Sequence, residues 1–318
     1  MNRLFPFFAR ATFFLFGFAF SVKAQTLQGT HLFAQQDTTA LYLDIYQPAD
    51  GAQLSFEGKE KPTILFIFGG GFIGGERSNP YYMPWFKLLT DNGYRVVTID
   101  YRLGLKGKHL RFSLFHLLET AKLTKTAAEM GVEDLFSAIC YLSKHPETGV
   151  KMDNIVVAGS SAGAIISLTA EWEISNHTEL AAVLPEGFNF VGVMSFAGAI
   201  LSNQGKPSYA ASPCPQLLIH GTADAIVNYD KTRLFNWGMF GSNVLAEVFE
   251  KEGYNYSIYR FKDHNHDMAS CFVPTWPEQQ RFLEENVLRG SVRIIDALVD
   301  DPAIPVWEDF GSLSSLYK

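Results

Sequence analysis

Six short runs, TILFIF (63–68), YRVVTIDY (94–101), NIVVAG (154–159), FVGVMSF (190–196), PQLLIHG (215–221) and YSIYRF (256–261), are mostly apolar and rich in strand-forming residues. Near-continuous apolar strands of this kind are buried on both faces, which is the mark of a parallel sheet. A seventh run, ALYLDIY (40–46), alternates at period two like a half-exposed strand and is stopped by Pro48. Helical patterns lie between several of these runs. PWFKLLTDNG ends on a Gly cap, and Glu133–His145 carries Leu135, Phe136, Ile139, Cys140 and Leu142 on one face. Another begins at Ser161, and PEQQRFLEENVLRGSVRIIDAL (277–298) closes the pattern with Pro277 in its first turn. Strands alternating with helices predict one large α/β domain, a largely parallel sheet covered on both faces.

The sharpest junction is NIVVAGSSAGAIISL, residues 154–168. It starts as a buried strand and ends as a helix, with Gly159, Ser160, Ser161, Ala162 and Gly163 between. A G-x-S-x-G corner holds its central Ser on a tight turn, because side chains at the flanking positions would collide with strand and helix. The Ser161 oxygen is then pushed out above the sheet, at a helix N-terminus. A Gly-rich turn without chemistry could share the pentapeptide, so its partners decide.

A serine hydroxyl is a weak nucleophile at neutral pH. It needs a base, and the base needs an orienting acid. In a corner of this kind the partners follow in the order Ser, Asp or Glu, His. Asp224, in LLIHGTADAIV, falls just past a buried strand, and His264 and His266, in YRFKDHNHDM, fall just past the next. We assign the base to His266, which has more reach beyond its strand than His264, and the orienting acid to Asp224. His264 is expected to line the pocket or sit exposed, and His220 to pack beneath the turn that carries Asp224. Asp263, His264, His266 and Asp267 are also dense in metal-ligand atoms, but no further partner stands at a suggestive spacing, and no metal is assigned. The glycines of FIFGGGFIGGE (66–76) let backbone N–H groups approach a substrate; Gly70 and Gly71, with Ala162 after the nucleophile, are the expected oxyanion donors. A phosphate loop would need Gly-Lys-Ser/Thr or G-x-G-x-x-G with an acid downstream, and neither stands here.

With LYLDIYQP, FGGGFIGGE, VVTIDYRL, GSSAGA, HGTAD and HNHD, the chain resembles an α/β-hydrolase of the carboxylesterase type over about residues 30–285. It is similar to the secreted bacterial feruloyl- and acetyl-xylan-esterase-like branch. The resemblance implies an α/β-hydrolase fold with a mostly parallel eight-stranded sheet, no cofactor, and the same Ser161, His266 and Asp224. It implies a serine ester hydrolase working through an acyl-enzyme, on a small-molecule ester or on carbohydrate acyl esters. Two rivals stand beside it. A peptidase of the same fold, of the prolyl-oligopeptidase type, carries an additional propeller or β domain for which this chain has no room. A catalytically silent hydrolase fold used for binding usually lacks one of the three residues retained here. Two positions depart from the family pattern: Phe68 stands where His usually precedes the glycines, and Ala164 where a second Gly often follows the corner.

Residues 1–24 have the layout of a secretory signal peptide: Arg3 and Arg10, an apolar run from Ala11 to Val22, and Val22-Lys23-Ala24 before Gln25. The run is about a dozen residues, short of the roughly 20 a membrane anchor needs. Export to periplasm or medium is therefore expected. Removing residues 1–24 takes away Arg3, Arg10 and Lys23 and no acid, so the formal charge falls from −7 to −10. That balance argues against nucleic acid, whose affinity comes from neutralised phosphates. Cys140, Cys214 and Cys271 show no metal-ligand spacing. Export would permit a Cys214–Cys271 bridge, and three unpaired thiols fit the sequence as well. The expected layout is a leader (1–24), a hydrolase domain (25–298) and a C-terminal tail (299–318). Within the domain, residues 102–130 form a long excursion with Leu110, Leu114, Leu117 and Leu118 at helical spacing. It is read as a cap over the pocket or as a helix packed outside the core.

Overall fold

The computed structural model describes residues 26–36, 38–110 and 116–306. The leader and most of the tail lie outside the described residues.

The runs read as strands assemble into one sheet. Its strands are β1 (Leu27–Gln36), β2 (Thr39–Tyr46), β3 (Thr63–Ile67), β4 (Val96–Ile99) and β5 (Ile155–Ser160). They continue with β6 (Gly192–Phe196), β7 (Gln216–Gly221), β8 (Tyr256–Phe261) and β9 (Ile295–Val299). The order across the sheet is β1-β2-β4-β3-β5-β6-β7-β8-β9. β2 runs antiparallel to both its neighbours, and every other pairing is parallel. β3 through β7 are buried at every residue, so both faces of the sheet centre are covered. This is the α/β-hydrolase fold, with nine strands where the resemblance implied eight.

The ninth strand corrects the helix read over 277–298. Helix α5 is only Trp276–Phe282, continued by a π-helical turn over Leu283–Leu288. Gly290 then takes φ +70°, which ends the helix, and 295–299 turns into an edge strand with alternating exposure. The other helices are α1 (Met83–Asp91), α2 (Leu117–Lys144), α3 (Ala162–Ser175) and α4 (Ser242–Glu252). The last of these fills a connection in which no helix was read. α1 packs with α5 through Trp85 Nε1, which donates to Gln279 Oε1 at 2.8 Å, and Phe66 of β3 meets Trp85 and Phe86 edge-on. α2 and α3 lie so close that Ile166 would meet a Cβ placed on Gly131 at 2.4 Å.

The excursion at 102–130 resolves into two parts. Its second half is the start of α2, which is 28 residues long and begins well before the Glu133 expected from the core pattern. Leu114 lies outside the described residues. A small antiparallel sheet, Lys231–Leu234, Trp237–Gly241 and Ala199–Ser202, stands apart from the main sheet and was not read from the sequence. All three cysteines are free thiols, so Cys214 and Cys271 form no bridge.

α3 also carries Glu171, buried to 3 % exposure. Its Oε1 accepts from the Cys214 N–H at 2.8 Å and from the Ser175 hydroxyl at 3.1 Å. Burial pushes the carboxyl up to about 7, against those hydrogen bonds. The folded state therefore holds the proton more tightly than the unfolded chain. Stability is fully present below about pH 4.5 and is lost as pH rises through about 7, by roughly 3 kcal/mol. Glu171→Gln should flatten that slope, so that urea unfolding across about pH 5 to 8 shows a smaller fall in stability than in the unsubstituted chain.

Candidate active site

β5 ends at Ser160 and α3 begins at Ala162, so Ser161 makes the corner alone. Its backbone sits at φ 50°, ψ −114°, a region that non-glycine residues rarely occupy. Such strain persists only where the surroundings over-determine it, and two glycines do so here. A Cβ on Gly159 would lie 2.2 Å from the Gly163 carbonyl oxygen, and one on Gly163 would lie 2.1 Å from that of Ile67. The Ser161 N–H donates to the Phe196 carbonyl at 2.9 Å, and the Ser161 carbonyl accepts from Ile165 N–H at 2.9 Å. The second hydroxyl has a separate task. Ser160 Oγ donates to the Ala269 carbonyl at 2.8 Å, tying the corner to the turn that carries His266.

That turn is the 3-10 segment His266–Ser270, capped by the Asn265 side chain, which accepts from Asp267 N–H at 3.0 Å. It brings His266 Nε2 to 2.7 Å from Ser161 Oγ. On the other side of the ring, His266 Nδ1 lies 2.7 Å from Asp224 Oδ2. Asp224 is buried, which alone would raise its carboxyl; hydrogen bonds from His220 and His266 outweigh burial and hold it well below the usual carboxylate range. An ionised carboxylate only accepts, so Nδ1–H of His266 donates to it and a neutral ring leaves Nε2 to accept the Ser161 proton. Asp224 Oδ1 accepts from the N–H groups of Ile226 and Val227 at 2.9 and 3.1 Å.

His220 does more than pack beneath the turn. Its Nε2 faces two acceptors, Asp224 Oδ2 at 3.1 Å and the Val227 carbonyl at 2.9 Å, so it carries the proton and donates. Its Nδ1 then accepts from the Ser242 hydroxyl at 2.8 Å. The four-residue spacing of His220 and Asp224 across the strand end was the available signal for this contact. His264 is neither exposed nor at the cavity. It is buried and its Nδ1 lies 2.7 Å from Asp267 Oδ2, closing the turn beneath His266. His264 thus pairs with Asp267 and His266 with Asp224, and among the described residues no three His, Cys, Asp or Glu side chains cluster as a metal site.

The glycine loop after β3 is held without the His that Phe68 replaces. Phe68 is buried and stacks on Tyr101 at 4.5 Å between ring centroids, and the Tyr101 hydroxyl donates to the Phe68 carbonyl at 3.1 Å. Gly69 N–H donates to the Tyr82 hydroxyl at 3.2 Å. Gly71 and Ala162 border the same cavity as Ser161. Gly70, the third expected donor, does not border that cavity, and its carbonyl accepts from the N–H groups of Ile73 and Gly74.

The sequence of the carboxylesterase family matches this chain over residues 20–180. The chain belongs to the carboxylesterase family. Fumonisin B1 esterase of Sphingopyxis macrogoltabida is 31% identical over 125 residues, 39% of this chain and 21% of that protein. Para-nitrobenzyl esterase of Bacillus subtilis is 30% identical over 132 residues, 41% of this chain and 24% of that protein. The matches thus span less than a quarter of the length of either relative. An esterase of Thermogutta terrifontis solved with propionate bound superposes with a TM-score of 0.57 at 20% identity, covering 80% of this chain and 93% of that one. That likeness is one of fold.

In this carboxylesterase-family chain, a cavity of about 380 Å³ opens onto Ser161. Leu117 and Leu118 of α2, Ile165 of α3, and Leu234, Trp237 and Met239 of the small sheet give it a mainly apolar wall. Leu110, from the first half of the excursion, also borders it. Leu110 and the first turns of α2 therefore border the pocket, while the later turns of α2 build the core. The corner predicts a sharp steric outcome. Gly163→Ala should cost at least about 2 kcal/mol in urea unfolding, because the clash is with the Ile67 backbone and not with a movable side chain.

Proposed function

We propose that the chain is a serine ester hydrolase. The hydrogen-bonded run from Ser161 through His266 to Asp224, with 2.7 Å at both links, carries this reading. Ser161 Oγ attacks the ester carbonyl while His266 Nε2 takes its proton. Asp224, kept ionised, orients the ring and stabilises the imidazolium that forms. The N–H groups of Gly71 and Ala162 receive the developing oxyanion, and Ala162 adds the partial positive charge of the α3 N-terminus. His266 returns the proton to the departing alcohol. Water, activated by the same ring, then cleaves the acyl-enzyme and restores Ser161.

The apolar cavity beside Ser161 suits a small ester with an apolar group. Carbohydrate acyl esters belong to the reading through the resemblance to the feruloyl- and acetyl-xylan-esterase-like branch. Its test is turnover of short-chain aryl esters together with labelling by a fluorophosphonate. Ser161→Ala should lose labelling and lower kcat by several orders of magnitude, and His266→Ala should match it, since such residues act as a unit. His264→Ala should lower the melting temperature, through its bond to Asp267, and spare most of the rate below that temperature. Labelling that survives Ser161→Ala would move the nucleophile elsewhere.

Export is part of the same proposal, on the strength of residues 1–24. Expression of the full chain in a bacterial host should yield protein outside the cytoplasm with Gln25 as its first residue by N-terminal sequencing. Retention of Met1 on the mature protein would remove export from the reading.

A further inference from the structure

The apolar cavity does not end the groove in which it lies. Along α3, Ala162 and Ile165 border it, and Thr169, Trp172 and Glu173 border a second cavity of about 300 Å³. These positions recur at three- and four-residue steps, so they share one face of the helix. α2 repeats the pattern: Leu117, Ala121 and Thr124 face the first cavity, Ala128 and Glu129 the second, and Lys125 both. Leu201 and Ser202 also border both. The two cavities are thus neighbours in one groove between α2, α3 and the strand Ala199–Ser202. Thr169 follows Ser161 by eight residues, which at 1.5 Å per residue places the second cavity about 12 Å or more along the helix from the nucleophile.

Its lining has a different chemistry. Glu129 and Glu173 supply carboxylates, Asn203 and Gln204 amides, and Trp172 an aromatic edge. Thr169 is 6 % exposed and its hydroxyl, buried, has no hydrogen-bond partner. An orphaned buried hydroxyl is costly and uncommon, and it is relieved by a ligand that brings a partner. The charges are already largely answered from within. Lys125 pairs with Glu129, and Glu173 accepts from the Thr178 hydroxyl. Burial pushes the Glu173 carboxyl up, against Thr178 and Lys125. A cavity holding its own cation has little call for another. A hydroxyl group fits better, because it donates to a carboxylate, accepts from an amide or from Thr169, and brings no charge to desolvate.

Resting on the ester-hydrolase reading, we propose that the second cavity is a distal subsite for a hydroxyl-bearing tail of the ester, with an apolar spacer lying over the first cavity. The substrate is then an amphiphilic ester, polar at the end remote from the scissile bond.

The test has a kinetic and a binding arm. The kinetic arm measures kcat/KM on 4-nitrophenyl decanoate and its ω-hydroxy and ω-amino analogues, and on decyl acetate and ω-hydroxydecyl acetate, so that either side of the ester can occupy the groove. The ω-hydroxyl should raise kcat/KM about fivefold to tenfold in one of the two series, mainly through KM, the yield of one or two hydrogen bonds. Thr169→Val, nearly isosteric and relieved of an orphaned hydroxyl, should bring that ratio close to one, and Glu173→Gln should lower it. The binding arm repeats the comparison by calorimetry on Ser161→Ala protein with methyl decanoate, methyl ω-hydroxydecanoate and the two acetates. It reads the subsite without chemistry, so failure of hydrolysis and failure of the subsite are separate results. A hydroxyl ratio near one in both series and in binding would overturn the proposal. So would a ratio that survives Thr169→Val and Glu173→Gln, or an ammonium tail preferred over the hydroxyl.

Discussion

The contact on which the site depends is between two backbones. α3 starts so close to the end of β3 that no side chain fits between Gly163 and the Ile67 carbonyl. That approach lets a helix begin one residue after a central strand ends. It also throws Ser161 into its strained backbone position, and the hydrogen bond from its N–H to Phe196 on β6 holds it there. The neighbouring glycine loop, continuing from the same β3, is brought beside Ser161 by the same crowding. One steric constraint thus places Ser161 and the glycine loop together.

A second constraint is electrostatic. Asp224 is a buried carboxylate, and an unpaired buried charge would be expensive. Here four donors share it: two backbone N–H groups on Oδ1 and two imidazoles on Oδ2. His220 is fixed in its donating tautomer by a second acceptor and by Ser242, so it neutralises part of the cost without competing for Ser161. Asp224 can then stay ionised inside the protein, which is what an orienting partner for His266 requires. Ser160 adds to the arrangement, since its bond to Ala269 ties down the turn on which His266 stands.

Much of this was legible because it is local. The G-x-S-x-G corner, the strand-end positions of Asp224 and His266, and the buried runs of β3 to β8 are patterns within about ten residues. Reach alone separated His266 from His264. What escaped the sequence was set by tertiary contact. His220 carries no mark of its bond to Ser242, and although Asp267 stands only three residues from His264, nothing in the run marks the burial of that pair. The edge strand β9 was hidden by apolar spacing that also suits a helix, although Gly290 marked the break. The small sheet over the cavity has no clean alternation: its outer strand Lys231–Leu234 is largely exposed, and Phe235 at its hairpin is 77 % exposed.

The excursion illustrates why a helix that borders a cavity is hard to read. A separate insertion would show a boundary where the core pattern stops and another begins. α2 shows none, because one unbroken helix performs both tasks. Its later turns bury Leu135, Phe136 and Ile139 in the core, and its first turns put Leu117 and Leu118 on the cavity wall. The apolar stripe that packs the core and the apolar wall of the cavity are the same pattern at different heights on one cylinder. The cavity wall and the packed core are therefore coupled through α2. A change in its first turns alters the pocket with little loss of buried core, whereas a change beyond Val132 moves the platform against which α3, and with it Ser161, is packed.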